Sequence, residues 1–352
     1  MKFGLFFEFE VEQGGYDKVT QLYDDIIAQI CYAEEQGFDS CWIVEHHFTD
    51  RYSWCSAPEV LLGSLSRITT TMRLGSAVCL LPFHNPITIA ERYAMLDQLS
   101  HGRVEFGIGR GVSALEWNTF RPGLFGEPAM ESRPLMYEAM DLIQKCWTLE
   151  RFTYQGKFFS IKEPINVIPK PLQKPHPRIH VAGGSPDSYR LYAEKGWNLL
   201  GFSTLKPLIE VAREVEEFRQ AWRHSPRAAQ PGEFSELAFV RCARTEREAD
   251  EPLIPYHKWL IQRFREFYFP NPKPGTPEPI PGYYFGEPSY SDFKKHGMVV
   301  TGTPGQVIEQ LRTFEQYGVD RVMCQFRIGL MPHAMVMDTM RMFCKEVLPA
   351  FR

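Results

Sequence analysis

A short apolar or alternating run followed by a helical period, repeated along the whole chain, is the feature that most restricts what this sequence can form. Strand patterns fall at residues 2–9, 40–44, 72–81, 104–108, 178–182, 199–202, 237–242 and 321–326. Helical periods occupy 18–36, 58–66, 86–99, 130–148, a stretch opening at Pro186 or Asp187, then 205–222, 248–267, 303–317 and 334–351. In the first helix Leu22, Ile26, Ile27, Ile30 and Ala33 share one face, and Gly37 is its stop. Helices placed between consecutive strands imply parallel pairing with right-handed crossovers. Eight such units predict an α/β protein of the (β/α)8 TIM-barrel class, with insertions.

The stretch Leu96–Val112 condenses this logic. Leu96 and Leu99 end a helix, Ser100-His101-Gly102 stops it with Gly102 in the left-handed conformation, and Val104–Ile108 is a buried strand. Gly109-Arg110-Gly111 then stands at the strand's C-terminal end, where barrels bind ligands.

A barrel accommodates all 352 residues, so residues 1–352 read as a single domain. Two stretches interrupt the alternation. Residues 152–177 hold Pro164, Pro169, Pro171, Pro175 and Pro177 and are expected to be extended. Residues 270–297 hold seven prolines with Tyr283, Tyr284, Phe285, Tyr290 and Phe293, and are expected to be a lid over the open end. A net charge of -4 argues against a nucleic-acid partner, and no apolar run approaches the length of a membrane span. The eight cysteines are scattered through apolar contexts with no C-x-x-C, which fits a reduced, cytoplasmic compartment.

Three strand ends carry chemistry: Glu45-His46-His47, Gly109-Arg110-Gly111, and Gly183-Gly184-Ser185 with Ser188. The third is a glycine turn opening a helix, where backbone N–H groups and the helix dipole favour an anion. Ser185 and Ser188 add hydroxyls and Arg110 a guanidinium, so a phosphate site is expected; an ordinary N-cap at Ser185 is the alternative. His46 and His47 are adjacent and point to opposite sides of an extended segment, so they do not share a metal easily. His176 and His180 are separated by Pro177, which prevents a helical pair. No metal is expected, and His46 reads as an acid–base or hydrogen-bonding group, His47 as a structural one.

These residues resemble the bacterial luciferase-like flavin monooxygenases, closest to the luciferase α-subunit type. The resemblance rests on M-K-F-G-L-F at the start, G-F-D-S-C-W-I-V-E-H-H-F-T at 37–49, the stretch from Arg73 to Gly111, the arm P-K-P-L-Q-K-P-H-P at 169–177, G-T-P-G-Q-V at 302–307 and Y-G-V-D-R-V at 317–322. It implies a barrel that takes FMN as FMNH2 from a separate NAD(P)H:flavin reductase. O2 then adds at the flavin C4a, and the peroxide oxygenates a small organic substrate. By position it gives His46 the catalytic role, Arg110 the FMN phosphate, Gly184, Ser185 and Ser188 the phosphate turn, and Ala77-Val78 a non-prolyl cis peptide under the flavin ring. Gly109 lies beside the ring where luciferase has a cysteine, and Gly201-Phe202-Ser203 lacks luciferase's tryptophan. Light emission and a long-chain aldehyde substrate are therefore not implied. A homodimer is expected.

An F420-dependent oxidoreductase on the same barrel and a non-catalytic flavin-binding protein are the alternatives; E-H-H-F favours FMN. The substrate is not legible, because loops build its pocket.

Overall fold

In the computed structural model, which describes residues 1–122, 129–202, 204, 206–268 and 289–352, hydrogen bonds order the main strands as a closed parallel barrel. The strands are β1 (Lys2–Phe7), β2 (Ser40–Ile43), β3 (Arg73–Ser76), β4 (Val104–Gly109), β5 (Arg178–Ala182), β6 (Asn198–Phe202), β7 (Phe234–Cys242) and β8 (Arg321–Gln325). They neighbour one another in chain order, and β7 pairs with both β6 and β8 to complete the circuit.

Four details depart from expectation. The third strand is not continuous over 72–81. It breaks at Ala77-Val78, which is a cis peptide, and resumes as Cys79–Leu80; both pieces pair with β4. A strand unforeseen in the sequence, Val299–Gly302, runs parallel to the second half of β7. Within the expected 270–297 lid, Tyr290–Lys295 is a helix closed by a Ser289/Asp292 capping box. Residues 270–288 of that stretch lie outside the described residues. The final helix ends at Met342 and continues as a π turn and a 3-10 turn.

The chain divides into two compact units, one of Met1–Trp42, Thr49–Trp54 and Gly183–Arg352, the other of Ile43–Phe48 and Cys55–Ala182. In the second, Asn85 caps helix Pro86–Leu99 through Ile87 N–H at 2.9 Å, and His101 and Gly102 both turn left-handed to release the chain into β4. Arg103 then donates to the carbonyls of Ser66, Thr69, Met72 and Ser100, which satisfies loop ends that would otherwise be buried unpaired. The proline-rich excursion is an antiparallel hairpin, Phe152–Gln155 with Ser160–Ile165, followed by an arm whose Gln173 is tied to both carboxylate oxygens of Asp97.

The N-terminal end of the barrel is built of compensated charge within each unit. Buried Glu105 accepts from Arg73, Arg178 and His180; despite its burial, these partners hold its pKa well below the ordinary carboxylate range. In the first unit Arg321 pairs with Asp39 at 2.7 Å and with Glu233, over the Trp42 ring. Such networks fix a stable pole and leave the opposite ends of the strands for chemistry.

Candidate active site

In the second unit, residues after β2 and around the resumed third strand converge on one carboxylate. Glu45 leaves the end of β2 and is buried. Its Oε1 lies 2.6 Å from His84 Nε2 and 2.9 Å from His47 Nε2, and its Oε2 accepts from Leu80 N–H at 3.0 Å. Burial opposes the charge on Glu45, but the bonds from His47 and His84 outweigh it and its pKa is lowered. Burial likewise opposes a charge on His84, and the Glu45 bond outweighs it, so that pKa is raised.

His46 has a different carboxylate. Its backbone N–H donates to Cys55, and its Nδ1 lies 3.7 Å from Glu116 Oε1. The same oxygen accepts His47 N–H at 2.9 Å, so Glu116 holds the backbone of the histidine pair. Glu116 is placed by helix Ala114–Phe120, whose N-cap Ser113 accepts its N–H. The two adjacent histidines thus face two separate carboxylates.

Gly109 ends β4 where a Cβ would come within 2.3 Å of Val78 Cγ2. Any side chain here needs space that Val78 already fills, which accounts physically for a glycine in this place. Gly111 follows with φ +73, and a Cβ there would meet the Phe83 ring at 2.8 Å. Arg110 between them is half-buried, with Nη1 at 3.4 Å from Ser132 Oγ.

In the first unit, the turn after β5 has Gly183 at φ +67, its N–H bonded to Leu200. Gly184 passes over Tyr189 so closely that a Cβ would lie 2.2 Å from the ring. Ser185 is the N-cap residue of helix Pro186–Lys195, yet its hydroxyl makes no bond to the helix N–H groups and lies 3.0 Å from Ser188 Oγ. This is not the ordinary capping arrangement, and it turns both hydroxyls toward one another at the helix's positive end.

Glu45, His46, His47, Ala77, Val78, Gly109 and Arg110 thus belong to one unit, and Gly184, Ser185 and Ser188 to the other. Sequence reasoning did not single out His84 or Glu116, nor Glu45 as a hub. The order P-F-H at 82–84, a histidine just past a strand end, was the available signal for His84. Glu45, Cys79 and His84 also bring three potential metal-binding atoms within 4.8 Å of one another. The Glu45 oxygens are already engaged by the two histidines and Leu80.

The luciferase-like monooxygenase profile matches residues 1–321. The chain belongs to the luciferase-like monooxygenase family, and its class is that of a flavin-dependent monooxygenase. The oxygenase component of a flavin-dependent trigonelline monooxygenase from Acinetobacter baylyi is 26% identical, covering 100% of this chain and 96% of that one. Among solved structures, the monooxygenase RslO1 from Streptomyces bottropensis superposes with a TM-score of 0.86 at 23% identity, covering 100% of both chains. The oxygenating constituent of 3,6-diketocamphane monooxygenase from Pseudomonas putida, a type II Baeyer-Villiger enzyme in complex with FMN, gives 0.79 at 22% identity, covering 99% and 98%. Among the described residues, no helix is long and apolar enough to cross a membrane.

Proposed function

We propose that this chain is the oxygenase component of a two-component system that receives FMNH2 from a separate NAD(P)H:flavin reductase and uses O2 to oxygenate a small organic substrate. The observation that carries the FMN reading is the Gly183–Ser188 turn. Gly184 must lack a side chain, and the Ser185 hydroxyl is turned away from the helix N–H groups, which suits a phosphate at that end. In this reading Gly184, Ser185 and Ser188 take the phosphate, with Arg110 adding positive charge. Ala77, Val78 and Gly109 lie against the ring. Reduced FMN, when bound, supplies the two electrons that activate O2. His46 is the acid–base group: Glu116 orients its Nδ1 side, and its Nε2 handles the proton at the reacting centre. Glu45 stabilises charge on His84 nearby and holds the His47 ring by a hydrogen bond.

The test is a pair of titrations, reduced FMN against reduced F420, followed by O2 uptake with photoreduced FMN. Tight FMN binding with flavin-dependent O2 use is expected. Preference for F420, or binding without O2 use, overturns the reading in favour of an F420 oxidoreductase or a non-catalytic flavin protein. A homodimer is part of the same proposal. Val60 and Ile68 on helix Pro58–Ile68, with Met95 and Leu99 on helix Pro86–Leu99, are 44–71% exposed, an apolar set that a second copy would cover. Sedimentation equilibrium at micromolar concentration tests it.

A further inference from the structure

The rim of the second unit gathers donor atoms of three kinds. One carboxylate oxygen of Glu45, the sulfur of Cys79 and a ring nitrogen of His84 all lie within 4.8 Å of one another. Backbone structure sets each of them. Cys79 opens the resumed third strand, pairs with Ile108 in the parallel ladder and is 1% exposed. The chain then makes one 3-10 turn, Leu81–Phe83, in which Pro82 fixes φ and His84 N–H closes back on Leu81. His84 thus returns beside Cys79 in the C-x-x-x-x-H order, a spacing of the kind found in zinc-ligand loops. Glu45 is steadied through Oε2, which accepts from Leu80 N–H at 3.0 Å.

The contact between Glu45 Oε1 and His84 Nε2 at 2.6 Å does not compete with an ion. A proton joins those two groups, and a divalent cation replaces the proton while keeping both as partners. The surroundings point the same way. Burial, then the carboxylates of Glu45 and Glu59, push the Cys79 thiol well up and disfavour a bare thiolate. Surroundings hostile to an anion attract a cation, and a bound cation deprotonates a coordinating thiol outright. Glu59 is held by Arg92 at 2.8 Å and stays outside the ligand set. The His84 side chain keeps 22% of its surface, which gives an ion a way in and a water a place as fourth ligand. Bonds of about 2.0–2.3 Å in a tetrahedron place ligand atoms about 3.3–3.7 Å apart. The Glu45 and His84 atoms must therefore part, and the sulfur must approach, by about 1 Å each, which side-chain rotation supplies.

We propose that Glu45, Cys79 and His84 form a binding site for one divalent cation of borderline softness, the class of Zn2+. A mixed carboxylate, thiolate and imidazole set selects that class over Mg2+ and Ca2+, which take oxygen ligands. On binding, the metal–sulfur bond forms and the thiol proton leaves to solvent, as does the second proton of His84 when its ring is charged. No ligand of this site is assigned to the flavin, so the site stands or falls apart from the cofactor reading.

The experiment titrates the full chain, untagged and reduced, with Co2+, follows the cobalt–thiolate charge-transfer absorption, and then adds Zn2+. One equivalent of Co2+ is expected to raise the band and Zn2+ to remove it, while about a hundredfold excess of Mg2+ leaves it unchanged. Cys79→Ser should abolish the band and weaken Zn2+ binding about a hundredfold by calorimetry, and His84→Leu should weaken it about tenfold or more. Zn2+ should also raise the melting temperature of the wild type and leave that of Cys79→Ser where it is. No saturable band in the wild type, a band that survives in folded Cys79→Ser, or displacement of Co2+ by Mg2+ overturns the proposal. If Cys79→Ser does not fold, His84→Leu decides: unchanged Co2+ and Zn2+ affinity in that variant overturns the site, and the expected loss supports it.

Discussion

Replacing Gly109 by alanine is the sharpest perturbation the geometry offers. The new Cβ would sit 2.3 Å from Val78 Cγ2, 3.3 Å from Val78 Cβ and 3.8 Å from Leu80 Cδ2. Carbon atoms in contact prefer about 3.5–4.0 Å, so the first of these must open by more than about 1 Å. Gly109 is paired in register with Leu80, and the bonded ladder resists that movement. Overpacking of this size costs about 1–3 kcal/mol. Val78→Ala removes the clashing carbon, at about 1 kcal/mol of its own for lost burial of a half-buried side chain. The double variant Val78→Ala/Gly109→Ala should therefore be more stable than the sum of the single losses by about 1–2 kcal/mol. Urea unfolding of the four proteins, with flavin titration on each, reads the cycle. A Gly109→Ala midpoint equal to wild type, or strictly additive losses, would refute the packing account of this glycine.

Arg110→Ala should weaken FMNH2 binding by about 2–4 kcal/mol, as for loss of a charge-assisted phosphate contact; an unchanged fluorescence titration contradicts it. His46→Ala should lower turnover by about 10²–10⁴ with flavin affinity retained, while His47→Ala should act mainly on stability, and steady-state kinetics beside melting curves separate the two. The bond between His84 and Glu45 should make stability depend on pH from both sides. The raised pKa of His84 gives a contribution complete below its ordinary 6.5 and lost as pH rises through the raised value. The lowered pKa of Glu45 gives one complete above its ordinary 4.5 and lost as pH falls through the lowered value. The destabilisation caused by His84→Leu, about 1 kcal/mol, should thus be largest between these pH values and shrink toward pH 9; a pH-independent difference in urea midpoints rules the linkage out. His257, buried among Phe239, Tyr290 and Phe293, has its pKa pushed down to about 4 by burial, so His257→Phe should flatten the loss of stability as pH falls below about 6.5.

The barrel was legible because its signals are local. Apolar runs of strand length, the faces of the helices, and stops such as Gly37 and Gly102 need no knowledge of distant partners. The left-handed His101 beside Gly102 was not foreseen, since nothing local distinguishes it. The break in the third strand was equally silent: Leu-Gly-Ser-Ala-Val-Cys-Leu-Leu reads as one buried run, and only the family resemblance pointed to Ala77-Val78. At the site, Gly109-Arg110-Gly111 and the Gly183–Ser188 turn stood out because glycine has few structural uses. The Glu45 hub did not, because its partners Leu80 and His84 lie 35 and 39 positions away and periodicity carries no pairing information. Ser289 and Asp292 spelled a capping box at the correct spacing, but the neighbouring prolines drew the reading toward irregular chain.

The nine residues of β7 serve two ladders in succession, the barrel through Phe239 on one side and Val299–Gly302 from Phe239 onward. The helix Glu246–Tyr268 and the helix Tyr290–Lys295 are moored to each other by Asp250, which accepts from Tyr290 and from Lys294 at 2.9 and 2.6 Å. Barrel register is therefore insulated from whatever length of chain joins residue 268 to residue 289. Doubling that connection would cost about 0.6 kcal/mol in closure entropy, so the position is a natural insertion point at which new sequence can be tried without re-specifying the fold.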